Sequence, residues 1–192
     1  MFRRMTPERF LSDDQLARLM AVVRERHHLN QPRDYALIAL LANTGIRPSE
    51  ALTLTRADVH PHARPPWIRV MRLKKRHAAD PITKLPLHPK VAKVLANYVD
   101  QLSGKRTDKL FDFTKRQSFR LFRYYAGKAG LPLNLRIYSL RHTVGMRLWR
   151  HTSDIRLMQG IMGHVRTKAT SVYVHIAPER MRAARERIGT AI

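Results

Sequence analysis

Arg47, in the run Thr44-Gly45-Ile46-Arg47-Pro48, and Arg141, in Tyr138-Ser139-Leu140-Arg141-His142-Thr143, are the side chains whose type best suits a phosphate. A guanidinium donates two parallel hydrogen bonds from a planar fork and keeps its charge throughout the neutral range. Cutting a phosphodiester without a metal requires such cations on the nonbridging oxygens, a nucleophile, and an acid for the departing oxygen. A tyrosine can be the nucleophile only where nearby cations and a proton acceptor help it ionise, because a phenol has a pKa of about 10. The chain has 6 tyrosines. Taken alone, Tyr173 in Ser171-Val172-Tyr173-Val174-His175 reads more readily as a half-buried packing aromatic, and any one arginine as a surface cation. Other chemistries find less support. His60 and His62 flank a proline, His27 and His28 follow a helix, and neither a cysteine nor paired carboxylates complete a metal site. No glycine-rich phosphate loop is present. The expectation is chemistry without metal, ATP or other cofactor.

The elements that would carry these residues are mostly helical. Ser12-Asp13-Asp14-Gln15 reads as a capping box, and Leu16, Leu19, Met20 and Val23 form one apolar stripe behind it, predicting a helix from about 13 to 27. Pro32 opens a second helix, apolar almost all round, that ends at Gly45 and places Arg47 just beyond it. Pro48 suits the first turn of a short third helix containing Glu50. Trp67 to Leu73 and Ile82 to Leu87 read as two strands of an antiparallel hairpin with a long basic connection from Lys74 to Pro81. Further helices are predicted from Pro89 to about Gln101, from Thr114 to about Ala129, from Ser139 to about His151, from Ser153 to Met162, and from about Thr167 through Tyr173, with a last basic helix after Pro178. On this reading Tyr138 precedes the helix that carries Arg141. The predicted class is mainly α with a small antiparallel β-sheet.

Charge points to the partner. Lys and Arg number 37 against 14 acids, a formal net charge of +23, which self-repulsion penalises unless a polyanion sits nearby. Nucleic acid fits. A bilayer does not, since the longest apolar run, Tyr35 to Ala42, falls well short of the roughly 20 residues a span needs. The basic N-terminal MFRRMTPERF leads into Ser-Asp-Asp, not an apolar stretch, and cysteine is absent, so a soluble cytoplasmic chain without disulfides is expected.

Position in the chain selects among these candidates through a family resemblance. Thr44-Gly45-Ile46-Arg47-Pro48-Ser49-Glu50-Ala51-Leu52 resembles the first arginine box of the tyrosine recombinases, also called the phage integrase family, and Leu140-Arg141-His142-Thr143 resembles their second. In that family a Gly-His pair follows the second arginine by a little over twenty residues, and the nucleophilic tyrosine lies about nine beyond the histidine. Here His164 of Gly163-His164 stands 23 residues after Arg141, and Tyr173 stands 9 after His164. The resemblance runs from Phe10 to the final helix.

It implies that Tyr173 attacks DNA to form a covalent 3′-phosphotyrosyl link while Arg47, Arg141 and His164 bind the phosphate. Without it, His164 would read as a cap following Gly163. The family's general-acid lysine sits on the hairpin, where Arg72-Leu73-Lys74-Lys75 lies; Lys74 is the assignment and Lys75 the alternative. The second box usually reads His-x-x-Arg, and Tyr138 occupies the histidine position, which implies slower chemistry through a phenol that can still donate a hydrogen bond. Lys75, Arg76, Arg136, Arg166 and Lys168 are candidate DNA contacts, each otherwise a solvated charge.

Family members typically carry a separate N-terminal clamp domain, whereas residues 1–192 read as one catalytic domain without it. In this the chain is similar to the short fimbrial-switch DNA invertases, whose hairpin also has an Arg-Leu-Lys-Lys run. The implied partners are double-stranded DNA with inverted-repeat sites, further protomers in a tetrameric synapse joined through the helix after Pro178, and accessory DNA-bending proteins, in a nucleoid-associated setting. Two other readings compete: a noncatalytic DNA-binding remnant, and a type IB topoisomerase that shares the chemistry without a synapse.

Overall fold

The computed structural model describes residues 9–25, 30–73 and 81–163. Helix α1 (Asp13–Glu25) starts at the expected capping box: the Gln15 amide donates to Ser12 Oγ at 3.1 Å and the Ser12 amide to Gln15 Oε1 at 2.9 Å. Its buried stripe, Leu16, Leu19 and Val23, packs on α2 (Gln31–Thr44). Helix α2 is the hub, in contact with α1, with α4 (Pro89–Val99) and with α6 (Ile137–Thr152). Every residue from Ala36 to Leu41 is buried, so apolar side chains are needed on all of its faces, the leucines and Ile38 each worth about 1.5–3 kcal/mol on removal from water. The buried Asp34 carboxylate accepts from the Tyr125 hydroxyl at 2.9 Å, which ties α5 (Lys115–Lys128) to the hub.

Helix α2 stops at Gly45, whose φ of 62° is left-handed and whose amide donates to the Leu41 carbonyl. A Cβ there would lie 2.9 Å from Val144 Cγ1 of α6, so this turn needs glycine both for its backbone and for the close approach of α6. The chain then enters α3 (Pro48–Ala51), with Pro48 in its first turn.

The sheet has three antiparallel strands, β1 (Val59–His60), β2 (Trp67–Met71) and β3 (Ile82–Pro86), in the order β1-β2-β3. Ile68 pairs with Val59 on one side and with Leu85 on the other. Ile68, Val70 and Leu85 point into the core while Arg69 and Met71 face out. The hairpin is as expected; β1 was not, because two residues are too few to show a period-two pattern.

Helix α5 has the expected box, with Thr114 Oγ1 accepting from the Gln117 amide at 3.2 Å. Two later starts differ from the sequence reading. Helix α6 begins at Ile137, because Ser139 is not its cap: Ser139 Oγ accepts from the Arg136 amide at 3.0 Å from within the first turn. Tyr138 therefore lies inside the helix that carries Arg141, not before it. Helix α7 (Ile155–Met162) is capped by Asp154, whose Oδ1 accepts from the Arg156 and Leu157 amides, while Ser153, at φ 55°, closes α6. A small second core of Phe10, Val144, Met146, Met158 and Met162 fastens α7 to α6.

Candidate active site

Arg141 gathers the site. Its guanidinium is buried and donates from Nη1 to the Gly45 carbonyl and from Nη2 to the Met162 carbonyl, both at 2.5 Å. One side chain on α6 thus joins the turn after α2 to the end of α7. Arg47 lies two residues beyond Gly45, at the N-cap of α3. Its amide donates to Glu50 Oε2 at 2.9 Å and its Nη1 to Glu50 Oε1 at 2.6 Å. The arginines of the two boxes, far apart in sequence, are therefore tied to the same turn. Helix α7 closes at Gly163, left-handed at φ 61°, immediately before His164.

Glu50 and Arg72 were not singled out from sequence. Glu50 is fully buried and its second oxygen also accepts from Arg72 Nη1 at 3.3 Å. Arg72 continues the inward face of β2 after Ile68 and Val70, is fully buried, and donates from Nη2 to the Ile161 carbonyl at 2.9 Å. Burial pulls the Arg72 pKa down; Glu50 opposes that pull and Arg47 adds to it. The period-two run Ile68, Val70, Arg72 within the predicted strand was the available signal.

Tyr138 is partly buried, with its ring 6.4 Å from that of Phe119 on α5. Both line a cleft of about 400 Å³ with Arg116, Arg120, Arg123 and Arg136. The spacing of Arg116, Arg120 and Arg123 places them along one side of α5, a pattern legible in the sequence but not used. Arg136 itself is exposed, and its guanidinium donates to the Leu133 and Leu135 carbonyls. Next to Arg141, His142 has its pKa pushed down to about 4 by burial, with Arg141 and Arg9 adding repulsion. Lys74, Lys75, Arg76, His164, Arg166, Lys168 and Tyr173 lie outside the described residues, as do the predicted helices from Thr167 onward. Among the described residues no cluster of His, Asp or Glu is placed to hold a metal ion, and no helix is long and apolar enough to cross a membrane.

The phage integrase family model matches residues 9–180. The chain belongs to the phage integrase family. Within that family it is similar to a tyrosine recombinase of Thermosipho africanus, 29% identical over 184 residues that cover 92% of this chain and 60% of that protein. It is also similar to tyrosine recombinase XerD of Shewanella oneidensis, 27% identical over 181 residues covering 89% and 58%. This integrase-family chain thus spans about 60% of the length of the curated relatives it matches. Among solved structures, the XerA recombinase superposes with a TM-score of 0.75 at 26% identity, over 93% of this chain and 63% of that one. The catalytic domain of bacteriophage HP1 integrase shares the fold, with a TM-score of 0.65 at 24% identity, over 93% of this chain and 94% of that one.

Proposed function

We propose that this integrase-family chain cuts and rejoins DNA as the catalytic part of a site-specific tyrosine recombinase. The observation that carries the reading is Arg141 bridging the Gly45 and Met162 carbonyls. That bridge brings the first arginine box, the second, and the residues leading into Gly163-His164 to one place, as a phosphate-binding site requires.

In the proposed reaction the Tyr173 oxygen attacks the scissile phosphorus, the 5′ oxygen departs, and a 3′-phosphotyrosyl bond forms. Arg47 and Arg141 neutralise the nonbridging oxygens as negative charge develops, in a setting where fixed donors need no reorganisation. His164 adds a hydrogen bond, Lys74 or Lys75 supplies the proton to the 5′ oxygen, and Tyr138 donates in the place of the family's usual histidine. The phosphotyrosyl bond keeps the energy of the broken link, so rejoining to the exchanged strand needs no ATP. A site on double-stranded DNA with inverted repeats, a tetrameric synapse, accessory DNA-bending proteins and the short fimbrial-switch invertase subgroup all belong to this proposal. Lys75, Arg76, Arg136, Arg166 and Lys168 are its further phosphate contacts.

The test is covalent capture. Nicked duplexes from a random-sequence pool are incubated with the protein, and adducts are recovered under denaturing conditions. Wild type is expected to yield protein-linked DNA with a 3′-phosphotyrosyl bond, and Tyr173→Phe none. Adducts that persist in Tyr173→Phe would overturn the nucleophile assignment, and binding without any adduct from wild type would favour a noncatalytic DNA-binding role.

A further inference from the structure

We propose that Arg72 is a positioning residue of this site: closed off from solvent, it orients Glu50, and through Glu50 the guanidinium of Arg47, while it anchors the end of α7. The inference rests on the recombinase reading above.

Its place in the fold is the first reason. Ile68, Val70 and Arg72 occupy successive inward positions, and all three are fully buried. An aliphatic side chain at the third would complete the core at no electrostatic cost. Burying a guanidinium there costs several kcal/mol before pairing, and a buried ion pair often stabilises no better than apolar residues of similar volume. Stability alone gives no reason for an arginine.

The geometry supplies one. Nη1 donates to Glu50 of α3, Nη2 to the Ile161 carbonyl of α7 at 2.9 Å, and Nε lies 3.4 Å from Thr83 Oγ1 of β3. A planar fork with five donors can serve three directions at once; an ammonium on a flexible stem cannot hold the same three. Gly163 packs against the guanidinium so closely that a Cβ there would stand 2.8 Å from Arg72 Cζ. Arg72 is thus the surface on which α7 ends.

Charge supplies the other. Glu50 accepts from Arg47 and Arg72 together. If Glu50 paired with Arg47 alone, its carboxylate would cancel the cation meant for the phosphate. With Arg72 sharing it, one positive charge stays in excess at Arg47. Arg72 therefore acts on the reaction through Arg47 without touching substrate.

The experiment uses the duplex captured by wild type and measures single-turnover adduct formation at saturating DNA, half-saturation by DNA, and thermal stability. For Arg72→Met the adduct rate is expected to fall about tenfold to a hundredfold with half-saturation little changed, and Arg72→Lys to recover part of the loss. A neutral methylphosphonate at the scissile position removes the charge that Arg47 must meet, so the Arg72→Met deficit should shrink on that substrate. An unchanged rate, or a deficit as large on methylphosphonate as on phosphate with affinity falling in parallel, would overturn the proposal. Should Arg72→Met not fold, Arg72→Lys decides: a slowed rate at unchanged half-saturation supports the role and a wild-type rate refutes it. Absence of any wild-type adduct is a separate result that removes the recombinase reading itself, and Arg72's role with it.

Discussion

Beside Arg141, His142 pays for its burial by staying neutral. Its pKa, pushed down to about 4 in the folded chain, is about 6.5 when unfolded. The unfolded state therefore binds the extra proton between those values. The stability contributed by the neutral form is complete above the unfolded pKa and is lost as pH falls from about 6.5 toward 4. Denaturant titrations at pH 7 and pH 5 should show a loss of about 2 kcal/mol from this group, and His142→Gln should lose correspondingly less; an equal loss in both would refute the assignment. Arg141 is expected to tolerate no substitute. A lysine cannot reach the Gly45 and Met162 carbonyls together, so Arg141→Lys should slow adduct formation by about a hundredfold or more in single-turnover assays. Tyr138 is the opposite case. Restoring the family's usual histidine with Tyr138→His is expected to accelerate adduct formation by about tenfold, and a rate no faster than wild type would show that the phenol serves as well.

Elements position these residues through their ends. The α2 terminus at Gly45 combines a left-handed backbone with a close contact to Val144. Gly45→Ala should therefore cost about 2–4 kcal/mol by chemical denaturation, from backbone strain and overpacking together. Thr114→Ala, which removes only the α5 cap, should cost about 1 kcal/mol. A cost at Gly45 no greater than at Thr114 would show that the turn can relax. Caps were also where local reading succeeded and failed. The boxes at Ser12 and Thr114 were legible because both partners lie within one turn. Ser139 and Ser153 misled because a serine also serves inside a first turn or after a helix end, and neighbouring Arg136 and Asp154 took the capping positions.

At the scale of the whole molecule, the net charge of +23 favours the proposed DNA binding, whose response to salt would follow the number of phosphates contacted. Neutralising each phosphate releases counterions, so affinity should fall steeply with ionic strength, with a log–log slope of about −0.9 per contact. The cleft between α5 and the start of α6 gathers Arg116, Arg120, Arg123 and Arg136 around Phe119 and Tyr138. Arg120→Gln should reduce that slope by about one, measured by fluorescence anisotropy across a salt series. An unchanged slope would mean that this face does not meet phosphate.

The mainly helical class, the hairpin, the hub helix and the family's arginine boxes were legible in the sequence. Each depends on interactions within a few residues or on a fixed spacing along the chain: a 3.6-residue apolar period, a glycine after a helix, a proline at its start, or the order of the arginine boxes. The sequence alone could not give the partners. Arg141 meets carbonyls at Gly45 and Met162, Glu50 is shared by Arg47 and Arg72, and Gly163 rests on Arg72. Most of these contacts join residues more than twenty positions apart, and backbone carbonyls carry no sequence signature. Among 37 basic residues, only packing decides which cation is buried, because burial is the outcome of the whole fold closing around it.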